Sequence, residues 1–433
     1  MAVIGGSESS AQSTAAQTNS TPPGYTPIPI GPTVKFGVIG LGERGRDIIK
    51  NLALLPNTPI TAVCDTYAAS VRRASNEAPK AEKFDDYHAL LASKEVDAVV
   101  VATPTHLHKQ IVLDAFAAGK HVYCEAPLAS SVEDAKAIAS AAKAATKVVF
   151  QSGLQQRSHP QRLFLVPFIR GGCLGENAMA RAQWHSKTSW RRSSSNPDHE
   201  RDLNWRLDKA TSLGLAGEIG IHQFDAVAWF MRERPSAVTG FGSLILWKDG
   251  RTVPDTVQLV FDFPQGGHLV YDATLCSSFE KAYEVYYGSD STIMYRDEKA
   301  WLFKEVDAPL LGWEVYARKD QFYDETGIAL VANATKQSAI GQSATANAFP
   351  YEPLYYALQA FTANVGMVVP EVKAYVDSYG DDLSALPETL AKLKTYPVAG
   401  WREGLDATLI AIKANEAVNA GQKVEIPSQL FEL

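Results

Sequence analysis

Lys35–Asp65 reads KFGVIGLGERGRDIIKNLALLPNTPITAVCD, and its reading decides the fold of the front half of the chain. Lys35–Ile39 is a short β-branched run that ends in glycine, the pattern of a strand buried on both faces. Gly40-Leu41-Gly42-Glu43-Arg44-Gly45 follows at once. Asp47–Leu55 then reads as a helix, and Ile60–Cys64 as a second strand that stops at Asp65. Strand, G-x-G-x-x-G turn, helix, strand and acid come in the order a dinucleotide site requires. Gly40 permits the tight turn, Gly42 lets backbone N–H groups approach a pyrophosphate, and Gly45 lets the helix pack on the strand. With Glu43 and Arg44 they form the cofactor turn, at a helix N-terminus that favours phosphate. Asp65 lies about 25 residues after Gly40, near the spacing of a ribose-binding acid. Its carboxylate accepts from both ribose hydroxyls and repels a 2′-phosphate, so the expected cofactor is NAD rather than NADP.

Working outward, the alternation continues. Val96–Ala102, His121–Glu125 and Lys147–Gln151 read as strands, separated by helices at His106–Ala118 and Val132–Ala145. Parallel strands with crossover helices make a doubly wound sheet, whose ligands lie beyond the carboxyl ends of the strands. The loops Thr103–His108, Glu125–Pro127 and Gly153–Arg157 are therefore candidate site loops. The expected division is an N-terminal extension over residues 1–34, a Rossmann domain over 35–155, and a substrate-binding and oligomerisation α/β domain over 156–433.

In that second region, Pro160–Gly171 reads as a helix and Ala178–His185 as a strand. Residues 186–212 form a long polar loop rich in Arg, Ser and Trp, of a length usually reserved for function. Ser212–Met231 reads as one helix that places Glu218, His222 and Asp225 at i, i+4 and i+7 on one face. Short alternating strands from residue 237 to about 305 predict an open, mainly antiparallel sheet. Residues 352–377 and 402–420 close the chain as helices.

Composition bounds the rest. The 433 residues are 46% hydrophobic and 21% charged, the ordinary globular range, which excludes a disordered or fibrous chain. A net charge of −7 argues against nucleic acid as a partner. No apolar run approaches the roughly 18 residues of a spanning helix. Cys64, Cys124, Cys173 and Cys276 stand far apart, without the spacing of a metal site or a disulfide framework. The first 34 residues lack both a basic start and an apolar core, so they read as a Pro-rich tail, an arm along a partner, or what remains below a removed signal. Cytoplasm is the default compartment, and the periplasm is the alternative if a signal preceded this segment.

Together, the front motif, the Glu-x-Pro after the fifth strand and the G-x-H-x-x-D helix resemble the Gfo/Idh/MocA oxidoreductases over roughly residues 35–305. The resemblance implies NAD-dependent hydride transfer on a sugar, cyclitol or polyol, and a homo-oligomer (dimer or tetramer) built on the open sheet. It assigns Thr103, Pro104 and His108 to the turn by the nicotinamide ribose, Glu125 to the Glu of the family's E-K-P, and His222 to the catalytic-site histidine. Two positions depart from it. The family commonly has Asp where this chain has Glu218, and it has Lys where this chain has Ala126. That lysine assists proton transfer, and alanine carries no proton.

Hydride transfer from an alcohol needs an acceptor for the hydroxyl proton. His222 is the first candidate, with Glu218 orienting it. His185 and Lys187, in WHSKTSW (184–190), are further catalytic candidates. Tyr123 shares a strand face with Glu125 and is expected toward the cleft. Arg157, Arg206 and Asp225 are candidate substrate-binding groups, arginine for its bidentate reach. Trp184, Trp190 and Trp205 are suited to stacking on a sugar face. The alternative activity is redox-neutral: NAD stays bound, oxidises the sugar transiently, and the acidified C–H allows the glycosidic substituent to leave.

Overall fold

A computed structural model describes residues 27–312, 314, 319–322, 325–330 and 349–433; most of the N-terminal extension lies outside them. Phe36–Ile39 (β1), Glu43–Ala53 (α1), Ile60–Cys64 (β2), Ala68–Glu77 (α2), Glu82–Phe84 (β3), Tyr87–Ala92 (α3), Ala98–Val101 (β4), His108–Ala117 (α4), His121–Cys124 (β5), Val132–Ala144 (α5) and Phe150–Ser152 (β6) follow in order. The six strands form one parallel sheet of order β3-β2-β1-β4-β5-β6. β1, β4, β5 and β6 are buried along their whole length, because helices cover both faces of a parallel sheet. That is why these strands read as unbroken apolar runs.

The second region begins with Pro160–Arg170 (α6), Asn177–His185 (β7), Pro197–Leu203 (α7), Gly214–Glu218 (α8) and Ile221–Met231 (α9). Strands follow at Ala237–Ser243 (β8), Thr256–Asp262 (β9), His268–Thr274 (β10), Ala282–Gly288 (β11), Ser291–Arg296 (β12), Lys299–Lys304 (β13), Lys319–Phe322 (β14) and Glu325–Ala329 (β15). Pro353–Tyr379 (α10), Trp401–Ala420 (α11) and Lys423–Glu425 (β16) come last among these. The sheet has ten strands, in the order β14-β15-β13-β12-β11-β7-β10-β9-β8-β16. Every pairing is antiparallel except β7 with β10.

Two long helices tie the halves together. α10 lays Leu354, Leu358 and Phe361 against Phe36, Val38 and Tyr123 of the first sheet. α11 packs on α5, α9 and β8, and the hydroxyl oxygen of Thr408 on it accepts from the Leu128 N–H at 3.0 Å. Gly31 and Pro32 are anchored through their carbonyls by the Asn57 side chain, so the chain is already docked before β1 begins.

Candidate active site

Between the halves runs a cleft of about 1660 Å³, larger than the roughly 300–1,000 Å³ of an ordinary ligand pocket and wide enough for two ligands side by side. Its first end is the G-x-G-x-x-G turn. Gly40 has φ +92°, and a Cβ there would meet the Ala102 carbonyl oxygen at 2.6 Å, so only glycine fits. A Cβ on Gly45 would collide with the Gly40 carbonyl oxygen. A Cβ on Gly42 would meet nothing within 4 Å; it would project into the space a pyrophosphate needs.

Asp65 lies at the same end. Its Oδ2 accepts from the Leu41 N–H and its Oδ1 from the Tyr67 N–H, both at 2.8 Å. Both oxygens keep capacity for ribose hydroxyls. Thr103 and Pro104 line the cleft, and Thr103 Oγ1 is buried without a hydrogen-bond partner among the described residues. These features fit an NAD molecule laid from Asp65 across Gly42 toward Thr103.

His108 is a brace. Its Nε2 lies 2.9 Å from the Thr103 carbonyl oxygen and its Nδ1 3.0 Å from that of Pro127. Burial pushes its pKa down. It locks the 103–107 turn to the loop after β5, so its contribution to cofactor binding is to position that turn.

Arg44 and Glu125 both line the cleft and face each other, with Arg44 Nη2 at 3.1 Å from Glu125 Oε1. Arg44 Nη2 also donates to Gln155 Oε1 at 2.7 Å. Glu43 contributes its backbone to the turn while its carboxylate pairs with Arg192.

The expected single helix over Ser212–Met231 is two helices, broken at Ile219–Gly220. A Cβ on Gly220 would meet the Phe224 ring and the Ala216 carbonyl oxygen at 2.5 Å. Glu218, His222 and Asp225 consequently do not share one environment. Glu218 Oε2 accepts from the Thr105 hydroxyl at 3.0 Å, and Oε1 accepts from the Leu213 N–H at 3.2 Å and the Ser212 hydroxyl. Burial raises its pKa, with Arg206 opposing. His222 is half-buried and stands behind the residues that line the cleft, with Nδ1 lacking a hydrogen-bond partner among the described residues. Burial first, then the charge of Arg44, pushes its pKa down to about 4, so the ring is neutral at ordinary pH.

Asp225 faces away from the cleft. It accepts from Arg157 Nε at 3.0 and 3.1 Å and from Nη2 at 2.8 Å. The pair lines a separate cavity of about 540 Å³ beside Trp229 and Asp406. Arg157 and Asp225 are thus paired with each other on this second cavity rather than on the cleft wall where they were expected.

Three further expectations are corrected. Tyr123 is fully buried and packs edge-on against Phe361, with centroids 5.9 Å apart; its strand face looks at α10. His185 points to the open side of the second sheet, where its Nε2 lies 2.5 Å from Asp272 Oδ2. Lys187 is exposed and absent from the cleft wall, whereas Trp184, Ser186 and Thr188 line it. Strand alternation carried one residue further would have separated the two sets.

The long polar loop supplies the remaining wall. It carries α7 and folds over the cofactor turn: Arg192 meets Glu43, and the His199 ring stacks on Tyr67 with centroids 3.4 Å apart. Trp190, Trp205 and Arg206 line the cleft, and the Arg206 guanidinium lies 5.9 Å from the Trp190 ring and 5.1 Å from the Trp205 ring. Trp190 sits at φ +59°, a conformation costing a bulky residue about 1–3 kcal/mol unless its surroundings hold it. Sequence reasoning did not single out Thr105, Tyr67, His199 or Gln155. Thr105 and Gln155 fall inside two of the candidate loops, while Tyr67 and His199 carry no local signal, because they meet each other from distant parts of the chain.

The cleft's ingredients agree with what the chain resembles. Residues 34–153 match the NAD-binding Rossmann domain of the GFO/IDH/MocA oxidoreductases, and residues 167–293 match the C-terminal domain of the same family. An inositol 2-dehydrogenase of Paracoccus denitrificans is 39% identical over 130 residues, 30% of this chain and 39% of that protein. Thus this match spans about two-fifths of that relative's length. A 2,7-anhydro-N-acetylneuraminate hydratase of Escherichia coli is 28% identical over 237 residues, 54% of this chain and 59% of its own. A levoglucosan dehydrogenase solved with NADH and levoglucosan shares the fold, with a TM-score of 0.69 at 19% identity over 92% of this chain and 100% of that one. The protein belongs to the GFO/IDH/MocA oxidoreductase family, with that family's NAD-binding Rossmann domain in front and its C-terminal domain behind.

Proposed function

We propose that the chain is an NAD-dependent oxidoreductase acting on a hydroxyl of a sugar, glycoside or polyol. The observation that carries this reading is the single cleft whose one end has Gly42 and Asp65 and whose other has Glu218, Trp190 and Trp205. The names of the relatives, inositol 2-dehydrogenase and levoglucosan dehydrogenase, support a polyol or sugar as substrate. NAD, when bound, supplies the acceptor for the hydrogen on the carbinol carbon. The backbone of Gly40, Gly42, Glu43, Arg44 and Gly45 would hold its phosphates, Asp65 its ribose, and Thr103 and Pro104 its nicotinamide end. His222, neutral and with Nδ1 free of any partner among the described residues, takes the hydroxyl proton. Glu218, pinned by Thr105 and Ser212, orients the hydroxyl. Trp190 and Trp205 present flat faces to the sugar ring, with Arg206 between them for its polar edge.

The redox-neutral alternative rests on two features: Ala126 stands where the family has lysine, and the 190–206 loop lies across the cofactor turn through Arg192 and His199. A cofactor covered in this way suits repeated use without exchange. The hydratase among the relatives fits the same chemistry. We also place a second copy of the chain against the open face of the ten-stranded sheet. There Met179, Phe241 and Val260 are exposed; light scattering of the purified protein tests it, and a monomer refutes it.

One assay separates the two activities. A panel of sugars, cyclitols and aryl glycosides is followed at 340 nm and for aglycone together. NADH accumulating with added NAD establishes the dehydrogenase. Aglycone released without net NADH establishes the redox-neutral reaction. Neither signal across the panel overturns both.

A further inference from the structure

Position 126 leaves the reaction centre without the cation that the family places there. The Ala126 methyl packs against an apolar cluster that includes Leu154 and Ile221. An oxidised carbinol still needs charge compensation, because its oxygen gains negative charge as the hydroxyl proton departs.

A cation reaches this place from elsewhere. Arg44 begins in the cofactor turn, yet its side chain does not follow that turn. Nη2 crosses to Glu125, after β5, and to Gln155, after β6, at 3.1 and 2.7 Å. The two contacts hold the guanidinium beyond the carboxyl ends of those strands. Glu125 Oε1 is buried and has no hydrogen-bond partner among the described residues, so the ion pair to Arg44 is its compensation. Only Nη2 is engaged in these contacts; Nε and Nη1 make no hydrogen bond to the described residues and carry three further N–H groups. Arg44 lines the cleft, and its charge reaches His222.

We propose that Arg44 is the fixed cation of the reaction centre, holding the oxygen of the reacting carbinol in place of a side chain at position 126. The inference rests on the carbohydrate oxidoreductase reading above. In the step it serves, the O–H proton goes to His222, the O–H electron pair becomes the second C–O bond, and the hydrogen on carbon leaves with its electron pair to the oxidised nicotinamide. Arg44 donates hydrogen bonds to the oxygen throughout and transfers no proton, since a guanidinium does not deprotonate in proteins. In the redox-neutral variant the same donors hold the enolate oxygen formed when the neighbouring C–H is lost to base. An arginine serves both reactions as an electrostatic clamp, where lysine would serve the first as a proton carrier too.

The test compares Arg44→Met, Arg44→Lys and Arg44→Met/Ala126→Lys with the wild type, using the panel compound of highest turnover at saturating NAD. NAD affinity is measured separately by quenching of protein fluorescence. The expected results are a fall in kcat of about 10²-fold or more for Arg44→Met, partial retention in Arg44→Lys, and NAD affinity within about threefold throughout. Restoration of kcat by about tenfold in the double variant is the decisive sign, because a structural role for Arg44 would not be rescued from position 126. Unchanged kcat in Arg44→Met overturns the proposal. So does a loss of NAD affinity with kcat intact, which would return Arg44 to the phosphates, and so does a double variant no better than Arg44→Met. If Arg44→Met fails to fold because Glu125 is left unpaired, Arg44→Met/Glu125→Gln replaces it, judged by whether Ala126→Lys restores its kcat. A wild type inert toward the whole panel instead overturns the underlying reading.

Discussion

Two arginine–carboxylate pairs flank the 218–225 segment, and they differ in one respect that separates scaffold from site. Arg157 spends both Nε and Nη2 on Asp225, three contacts of 2.8–3.1 Å, with the Trp229 ring 5.2 Å from the guanidinium. Arg44 spends Nη2 on Glu125 and Gln155 and lines the main cleft. Each guanidinium keeps three N–H groups outside the contacts named, so donor count does not tell the pairs apart. Place does: the first pair lines the smaller cavity beside Trp229 and Asp406, and the second lines the cleft that also holds Asp65, Glu218 and Trp205. An ion pair on the wall of that cleft stands where a ligand can reach it. Helix spacing ranked Asp225 with the substrate groups, and bidentate reach ranked Arg157 there; neither says which side of the helix carries the cleft.

The largest effect expected from that distinction is on stability. Arg157→Met leaves the Asp225 carboxylate buried without its cation, at a cost of about 3–5 kcal/mol, read by chemical denaturation. The fraction that folds should keep its kcat within about threefold, and Arg157→Met/Asp225→Asn should recover part of the loss. A hundredfold fall in kcat of the folded variant would erase the line between the two pairs. At the proposed base, His222→Asn should lower turnover by about 10²-fold, equal to about 2.7 kcal/mol of barrier, while NAD affinity holds. Activity equal to the wild type would move the base elsewhere.

A smaller, graded effect comes from protons. Burial depresses His222 and His121 to about 4 and His159 to about 3, from an ordinary value of 6.5. The unfolded chain therefore binds protons first as pH falls. Stability is complete above about 6.5 and declines below it by about 1.4 kcal/mol per pH unit for each such histidine, until each titrates in the folded state. Denaturation measured from pH 7 to 4 should show this slope, and His159→Phe should remove one histidine's share of it. A flat profile would mean these rings are not held neutral by burial.

Most of the cofactor half is legible from the chain alone because its requirements are local. The positive φ of Gly40, the crowding at Gly45 and the pinning of Asp65 by the Leu41 and Tyr67 N–H groups all act within thirty residues. Asp65→Ser should accordingly narrow the preference for NAD over NADP by about tenfold, the worth of a charged hydrogen bond; an unaltered ratio would remove Asp65 from the ribose. The substrate half is less legible. The break at Gly220 turns one expected face into separate environments. Along β7 His185 turns to the face opposite Trp184 and meets Asp272, so it leaves the cleft wall while Trp184 stays. The contact of Arg44 with Gln155 spans 111 residues, and nothing near either residue announces it.

The smallest effect concerns Tyr123, and it probes the same contrast within one strand. Tyr123 lies two residues before Glu125, yet its ring packs on Phe361 while Glu125 opens to the cleft. Its hydroxyl is buried without a hydrogen-bond partner among the described residues, and burial, with Glu125 adding, holds its pKa well above the usual value. An unpaired buried hydroxyl costs about 1–3 kcal/mol. Tyr123→Phe removes that group and keeps the ring, so stability should hold or rise by up to about 1 kcal/mol, with kcat and NAD affinity unchanged. A loss of turnover would show that the hydroxyl acts through the neighbouring Arg44–Glu125 pair, and the division between core and site would then run through the Tyr123 side chain itself rather than between residues 123 and 125.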